Sequence, residues 1–88
     1  MLIRYFAAAR AATGVDEETV ELPAGATVAA LQQQLAALHP VSASDSTPAL
    51  AELLTRCSFL RNEVAVRDLD TVLAPADVVD VLPPFAGG

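Results

Sequence analysis

The stretch "TVAALQQQLAALHP", Thr27–Pro40, decides how the rest of the chain is organised. Thr27 is a residue that can cap a helix, because its hydroxyl accepts a free backbone N–H of the first turn. Val28, Leu31, Leu35 and Leu38 then recur at three- and four-residue steps, and Pro40 ends the run. The spacing predicts one main helix with a single apolar stripe, suited to lying across one face of a sheet.

On the N-terminal side, "MLIRYFA" (Met1–Ala7) is rich in strand formers and reads as a first strand. "AARAATG" at 8–14 suits a helical turn ended by Gly14, and "EETVEL" (Glu17–Leu22) alternates as a second strand, hairpinned on the first. Pro23 stops it. On the C-terminal side, "VSASDS" is a polar loop. "TPALAELLTRC" predicts a short second helix, with Thr47 as cap, Pro48 at its first position, and Leu50, Leu53 and Leu54 facing inward. "SFLRNEVAVRD" reads as two short strands around Asn62-Glu63, since asparagine tolerates the positive φ of a tight hairpin. A loop bends at Pro75. The near-continuous apolar run "VVDVLP" (Val78–Pro83) then predicts a covered, central last strand.

This order gives an α+β fold: a mixed sheet of about five strands packed on one main helix, with a short second helix, which is the β-grasp (ubiquitin-like) architecture. The expected division is a body over 1–82 and an extended C-terminal Gly-Gly tail over 83–88. Eighty-eight residues suit one domain. A body of this size has little room for an internal active site.

Composition narrows the function. Hydrophobic residues make up 53%, but eighteen of them are alanine. The formal net charge is −6, from five arginines against eleven acidic residues, with no lysine. Nucleic acid and anionic membrane are therefore poor partners, since both need cations to displace counterions. No apolar run approaches the roughly 20 residues of a membrane span. One cysteine, Cys57, needs no oxidising compartment, and a cytoplasmic location is expected.

Alternation assigns the faces of the strands. Leu2, Arg4 and Phe6 share one side of the first strand, and Arg4 marks that side as wet. Asp80 marks Val78 and Leu82 the same way, leaving Val79 and Val81 to the core. By the same logic Arg61 marks Phe59, and Arg67 marks Ala65. The expected outer face thus carries Phe6, Phe59, Ala65 and Leu82, an apolar patch of the kind that forms protein interfaces.

No enzyme constellation appears. His39 stands at a helix end, Cys57 has no partner ligand, and no metal site or bound cofactor is expected. The tail remains. Two terminal glycines occur by chance in roughly 0.5% of chains. Here they follow Pro83 and Pro84, which stiffen the backbone, then Phe85, which can anchor the base, and Ala86. Gly87 and Gly88 lack Cβ and can enter a slot too narrow for side chains. The Gly88 carboxylate would then be delivered into a foreign active site. A carboxylate is a poor electrophile, so a partner must first convert it to an acyl adenylate with ATP and magnesium.

The chain resembles the small subunit of molybdopterin synthase (MoaD-type), a family of ubiquitin-like sulfur carriers. The likeness rests on "RYFAAARAATG", "TVAALQQQLAAL", "FLRNEVAV" and "LPPFAGG", which together span nearly the whole sequence. It implies that Gly88 is adenylated by a ubiquitin-activating-type enzyme, becomes a thiocarboxylate with sulfur from a donor protein, and donates that sulfur to a pyranopterin precursor. The last step would occur in the large synthase subunit, within a heterotetramer, as part of molybdenum cofactor biosynthesis. In the family, Phe6 and Leu82 fall at apolar interface positions. Departures are "PAD" (75–77), where the family usually has Asp-Gly-Asp, the bulk of Phe85, a generous loop at 41–46, and the lack of lysine. The alternatives are a sulfur carrier for thiamine or cysteine biosynthesis, a ubiquitin-like covalent protein modifier, and a plain β-grasp adaptor.

Overall fold

The computed structural model describes residues 1–84. Five strands form one mixed sheet in the order β2-β1-β5-β3-β4. They are β1 (Leu2–Tyr5), β2 (Glu17–Thr19), β3 (Ser58–Arg61), β4 (Val64–Ala65) and β5 (Val78–Leu82), joined by helices α1 (Ala7–Thr13), α2 (Val28–Leu38) and α3 (Leu50–Leu54). β5 lies at the centre, parallel to β1 and antiparallel to β3, with Ile3 opposite Val79 and Phe59 opposite Val81.

The core sits on one side of this sheet. Ile3, Val79 and Val81 from the strands meet Val28, Leu31 and Leu35 from α2 and Leu50 from α3, all fully buried. At about 25 cal/mol per Å² of apolar surface removed from water, this cluster supplies the main driving force for folding. α2 starts as its sequence requires, with Thr27 Oγ1 accepting from Ala30 N–H at 3.2 Å. Its last turn differs from expectation: Leu38 is 46% exposed. There, His39 turns toward the sheet instead. Its ring meets Tyr5 edge-on, centroids 5.9 Å apart, and its Nε2 lies 2.5 Å from Glu18 Oε2.

α1 ends at Gly14, whose φ of 78° is the left-handed conformation that glycine adopts without a Cβ penalty. α3 begins at Leu50 with Ala49 at its cap position, later than Thr47-Pro48 suggested, and it has no side-chain cap. β2 is likewise shorter than the alternation of 17–22 implied. Asn62 and Glu63 both take positive φ (50° and 71°), closing the β3–β4 hairpin as a tight turn.

A second polar knot holds that hairpin to the loop before β5. Asp77, nearly buried, accepts from Ala74 N–H at 2.7 Å, Arg61 Nε at 2.7 Å and Asn62 Nδ2 at 3.0 Å. The φ of Ala76 in this loop is not positive, so glycine is not required there. The Ala74 amide, followed by Arg61 and Asn62, holds the Asp77 carboxyl down at about 2, against an ordinary value of 3.8. Because the folded-state value is depressed, this stabilisation is complete above about pH 4 and is lost as pH falls towards 2. Wild type is therefore expected to lose urea resistance between pH 4 and 2, and Asp77→Asn to be weaker at pH 7 with a smaller fall over that window. Equal acid slopes for the two proteins in urea melts at pH 7, 4 and 2.5 would contradict the assignment.

Candidate functional site

The face of the sheet turned away from the helices is organised by one ion pair. Arg4 on β1 lies beside Asp80 on β5, and the guanidinium grips the carboxylate twice, Nε–Oδ1 at 2.5 Å and Nη2–Oδ2 at 2.9 Å. Asp80 was expected to mark a wet face, yet it is only 5% exposed, because Arg4 lies over it. The hydrogen bonds to Asp80 raise the Arg4 pKa further. Two opposite charges thus close the middle of the face to water.

Apolar side chains surround this pair. Phe6, still extended (φ −126°, ψ 150°), is 41% exposed. Its backbone is fixed on both sides: its N–H donates to Val81 O, and its carbonyl accepts from Ala9 and Arg10. Ala7 follows with φ of 50°, an uncommon conformation for a residue with a Cβ, which starts α1 abruptly. Leu82 is half-buried beside Ser58, and Ala65 is exposed on β4 opposite Leu60.

Phe59 requires a correction. It is 4% exposed and belongs to the core, in register with Val81. Arg61 does share its face, as alternation demands, but that face is the inner one. Arg61 is tolerated there because it sits at the end of β3, half-exposed, where its guanidinium reaches Asp77. A charged residue at a strand end therefore pointed to the wrong side.

β5 ends at Leu82. Pro83 is buried against the body, and Pro84 is exposed. The tail residues Phe85, Ala86, Gly87 and Gly88 lie outside the described residues. Among the described residues, no group of three or more His, Cys, Asp or Glu side chains is placed to hold a metal ion. A surface depression of about 380 Å³, lined by Val20, Leu22, Leu73 and Pro75 among others, includes Met1 and so lies at the opposite end of β1 from Phe6. It offers no thiol, imidazole or cationic side chain. Cys57 is half-buried, and burial pushes its thiol up to about 11, so it is protonated at neutral pH. No helix among the described residues is long and apolar enough to cross a membrane.

Sequence reasoning missed the Tyr5–Glu18–His39 group. Tyr5 Oη donates to Glu18 Oε2 at 2.6 Å, and burial raises the tyrosine pKa far above its usual range. Three distant segments meet there, and only the topology brings them together.

A five-stranded mixed sheet with α2 across one face and a central last strand defines a ubiquitin-like β-grasp protein. More particularly, residues 3–88 match the ThiS family, and the chain belongs to it. A molybdopterin synthase sulfur carrier subunit from Chlamydomonas reinhardtii is 37% identical over 87 residues, covering 98% of this chain and 95% of that protein. A Pyrococcus furiosus structure assigned as molybdopterin converting factor subunit 1 is 29% identical, with a TM-score of 0.73 and 94% of each chain covered. SAMP1 from Haloferax volcanii is 26% identical, with a TM-score of 0.77 over 100% of this chain and 98% of that one.

The two phenylalanines should separate cleanly on mutation. Phe59→Ala is expected to cost about 3–5 kcal/mol, as for other core aromatics. Phe6→Asp should cost about 1 kcal/mol or less, as surface changes do. Thermal melts of both variants check this, and similar losses would mean that Phe6 is part of the core.

Proposed function

We propose that this chain is the sulfur-carrying small subunit of a molybdopterin synthase, and that Gly88 is its working group. The observation that carries this reading is the 37% identity to the C. reinhardtii sulfur carrier subunit across nearly the full length of both chains. The sequence position of Gly87 and Gly88, after the central strand β5, agrees with it.

The chemistry follows from what a carboxylate lacks. Within an adenylating partner that supplies ATP and magnesium, a Gly88 oxygen attacks the α-phosphorus and pyrophosphate leaves. The acyl adenylate now has a good leaving group. Hydrosulfide released by a donor protein adds to the carbonyl carbon, the C–O bond to the phosphate breaks, and AMP departs with that oxygen, leaving a thiocarboxylate and a proton. In the large subunit, the thiocarboxylate sulfur displaces an oxygen leaving group from a carbon of the pterin precursor, and water then cleaves the acyl–sulfur bond, leaving the sulfur on the pterin and restoring the carboxylate. Glycine at 87 and 88 lets both partners close on bare backbone. Phe6, Ala65 and Leu82, flanking the Arg4–Asp80 pair, form the docking surface for the large subunit.

A second reading, a covalent protein modifier, draws on the similarity to SAMP1, a small archaeal modifier protein. Without lysine, this chain builds no lysine-linked polymers of itself.

Incubation with an adenylating enzyme, ATP, magnesium and a sulfur donor should exchange one terminal oxygen for sulfur, visible by intact mass. Deletion of Gly88 should abolish the exchange and leave the melting temperature unchanged, because Gly88 lies beyond the last strand. An unmodified wild-type protein after trial of several competent activating enzymes would overturn the proposal. Conjugates carrying Gly88 on target lysines would favour the modifier reading.

A further inference from the structure

The outer face of the sheet carries more negative charge than its own cation balances. Directly opposed residues on neighbouring strands share a face. Glu17, Arg4, Asp80, Leu60 and Ala65 therefore form one row across all five strands. Arg4 is the only cation in that row, and its guanidinium is committed to Asp80 by two hydrogen bonds. Glu17 stands opposite Arg4 on β2, stays exposed, and has no ionic partner among the described residues.

Glu63, in the β3–β4 turn, adds a second carboxylate of the same kind. It lines a recess of about 270 Å³ with Arg4, Asn62 and Val78. It too is exposed and has no ionic partner among the described residues. Of the groups that raise the Arg4 pKa, Asp80 comes first, followed by Glu63 and Glu17, so the fields of both glutamates reach the pair. Glu63 also holds its place under strain. Its φ of 71° suits glycine, and it occupies the second central position of a turn whose favoured pair is Asn-Gly. Asn62 has work inside the fold, donating to Asp77 and accepting from the Val78 N–H. No ion pair within the described residues gives the Glu63 carboxylate comparable work.

We propose that Glu63 and Glu17 are the charged part of the docking surface, and that the partner presents lysine or arginine side chains to them within an apolar rim. The proposal rests on the reading above, in which Phe6, Ala65 and Leu82 dock the large subunit, and it names the chemistry that subunit brings. Ala65 lies in the same row, and half-buried Leu60 and Val78 continue the apolar surface on β3 and β5. A cation set down there meets two carboxylates that no internal cation holds, whereas an acidic partner meets like charge. Glu63 precedes β4 and Arg67 follows it, so opposite charges lie at the two ends of that strand and orient the partner.

The test is stopped-flow association of the 88-residue chain with the large synthase subunit of the same organism. Wild-type association should slow as NaCl rises to about 0.3 M, where screening acts well within 10 Å. Glu17→Gln and Glu63→Gln should each bind several-fold more slowly, with a shallower salt dependence, and the double variant on the order of tenfold more slowly. Glu63→Gly should bind as slowly as Glu63→Gln yet melt at the wild-type temperature or above, because glycine suits this φ. Glu52→Gln removes the same charge from exposed α3, on the other side of the sheet, and should match wild type. Binding by the Glu17 and Glu63 variants at or above the wild-type rate overturns the proposal. So does equal slowing in Glu52→Gln, since net charge alone would then govern encounter. A wild type that never binds the large subunit counts against the sulfur-carrier reading, and nitroxide relaxation then decides the charge assignment. An aminomethyl nitroxide should broaden the amides at positions 63 and 65 more than a carboxyl nitroxide does, and the double variant should erase that excess. An excess that survives in the double variant overturns the proposal.

Discussion

The parallel pairing of β1 with β5 is the constraint on which the molecule depends. It joins the first and last strands at the centre of the sheet, with Leu2 to Tyr5 set against Val78 to Val81. Such a pairing closes a loop of nearly the whole chain, so it forms only when the intervening helices have a core to fill. Ile3, Val79 and Val81 supply the sheet side of that core, and α2 covers it. The same register sets Arg4 against Asp80 on the other face. One alignment thus fixes both the buried side and the composition of the outer face.

Polar groups then make this alignment specific. The Arg4–Asp80 pair is bidentate, and bidentate geometry tolerates little slippage. Asp77 does comparable work at the entrance to β5 by collecting Ala74, Arg61 and Asn62. A one-residue slip of β5 would break both knots and turn Val79 and Val81 outward. Hydrophobic burial gives the fold its stability, while these carboxylates choose the register. Phe6 benefits directly, since its backbone is tied to Val81 while its ring stays half in water.

Local chemistry was legible in the sequence wherever one residue type has one strong preference. Thr27 capped α2, Gly14 ended α1 with positive φ, and Asn62-Glu63 made the hairpin turn. The central place of "VVDVL" also followed from its unbroken apolar run. Charge was a less dependable marker. Arg4 identified the outer face correctly, yet Asp80 on that face is buried under Arg4 itself. Arg61 misled about Phe59, because a guanidinium at a strand end can leave the inner face and meet a carboxylate from another loop. The start of α3 was misplaced because Thr47-Pro48 carries a start signal that the backbone does not use. The His39–Glu18–Tyr5 group was invisible, since contact between residues far apart in the chain has no local signature. Of the candidate site, the outer apolar residues Phe6, Ala65 and Leu82 could be read from alternation, whereas the buried root at Pro83 could not.

The direction of β5 has a mechanical consequence. Traction applied to the tail by a gripping partner runs along the strand axis, and β5 is bonded to a parallel neighbour on one side and an antiparallel one on the other. Such a pull loads the rungs of both ladders together, in shear, rather than breaking them one after another as in unzipping. A central strand held on both edges resists such a pull better than an edge strand held on one.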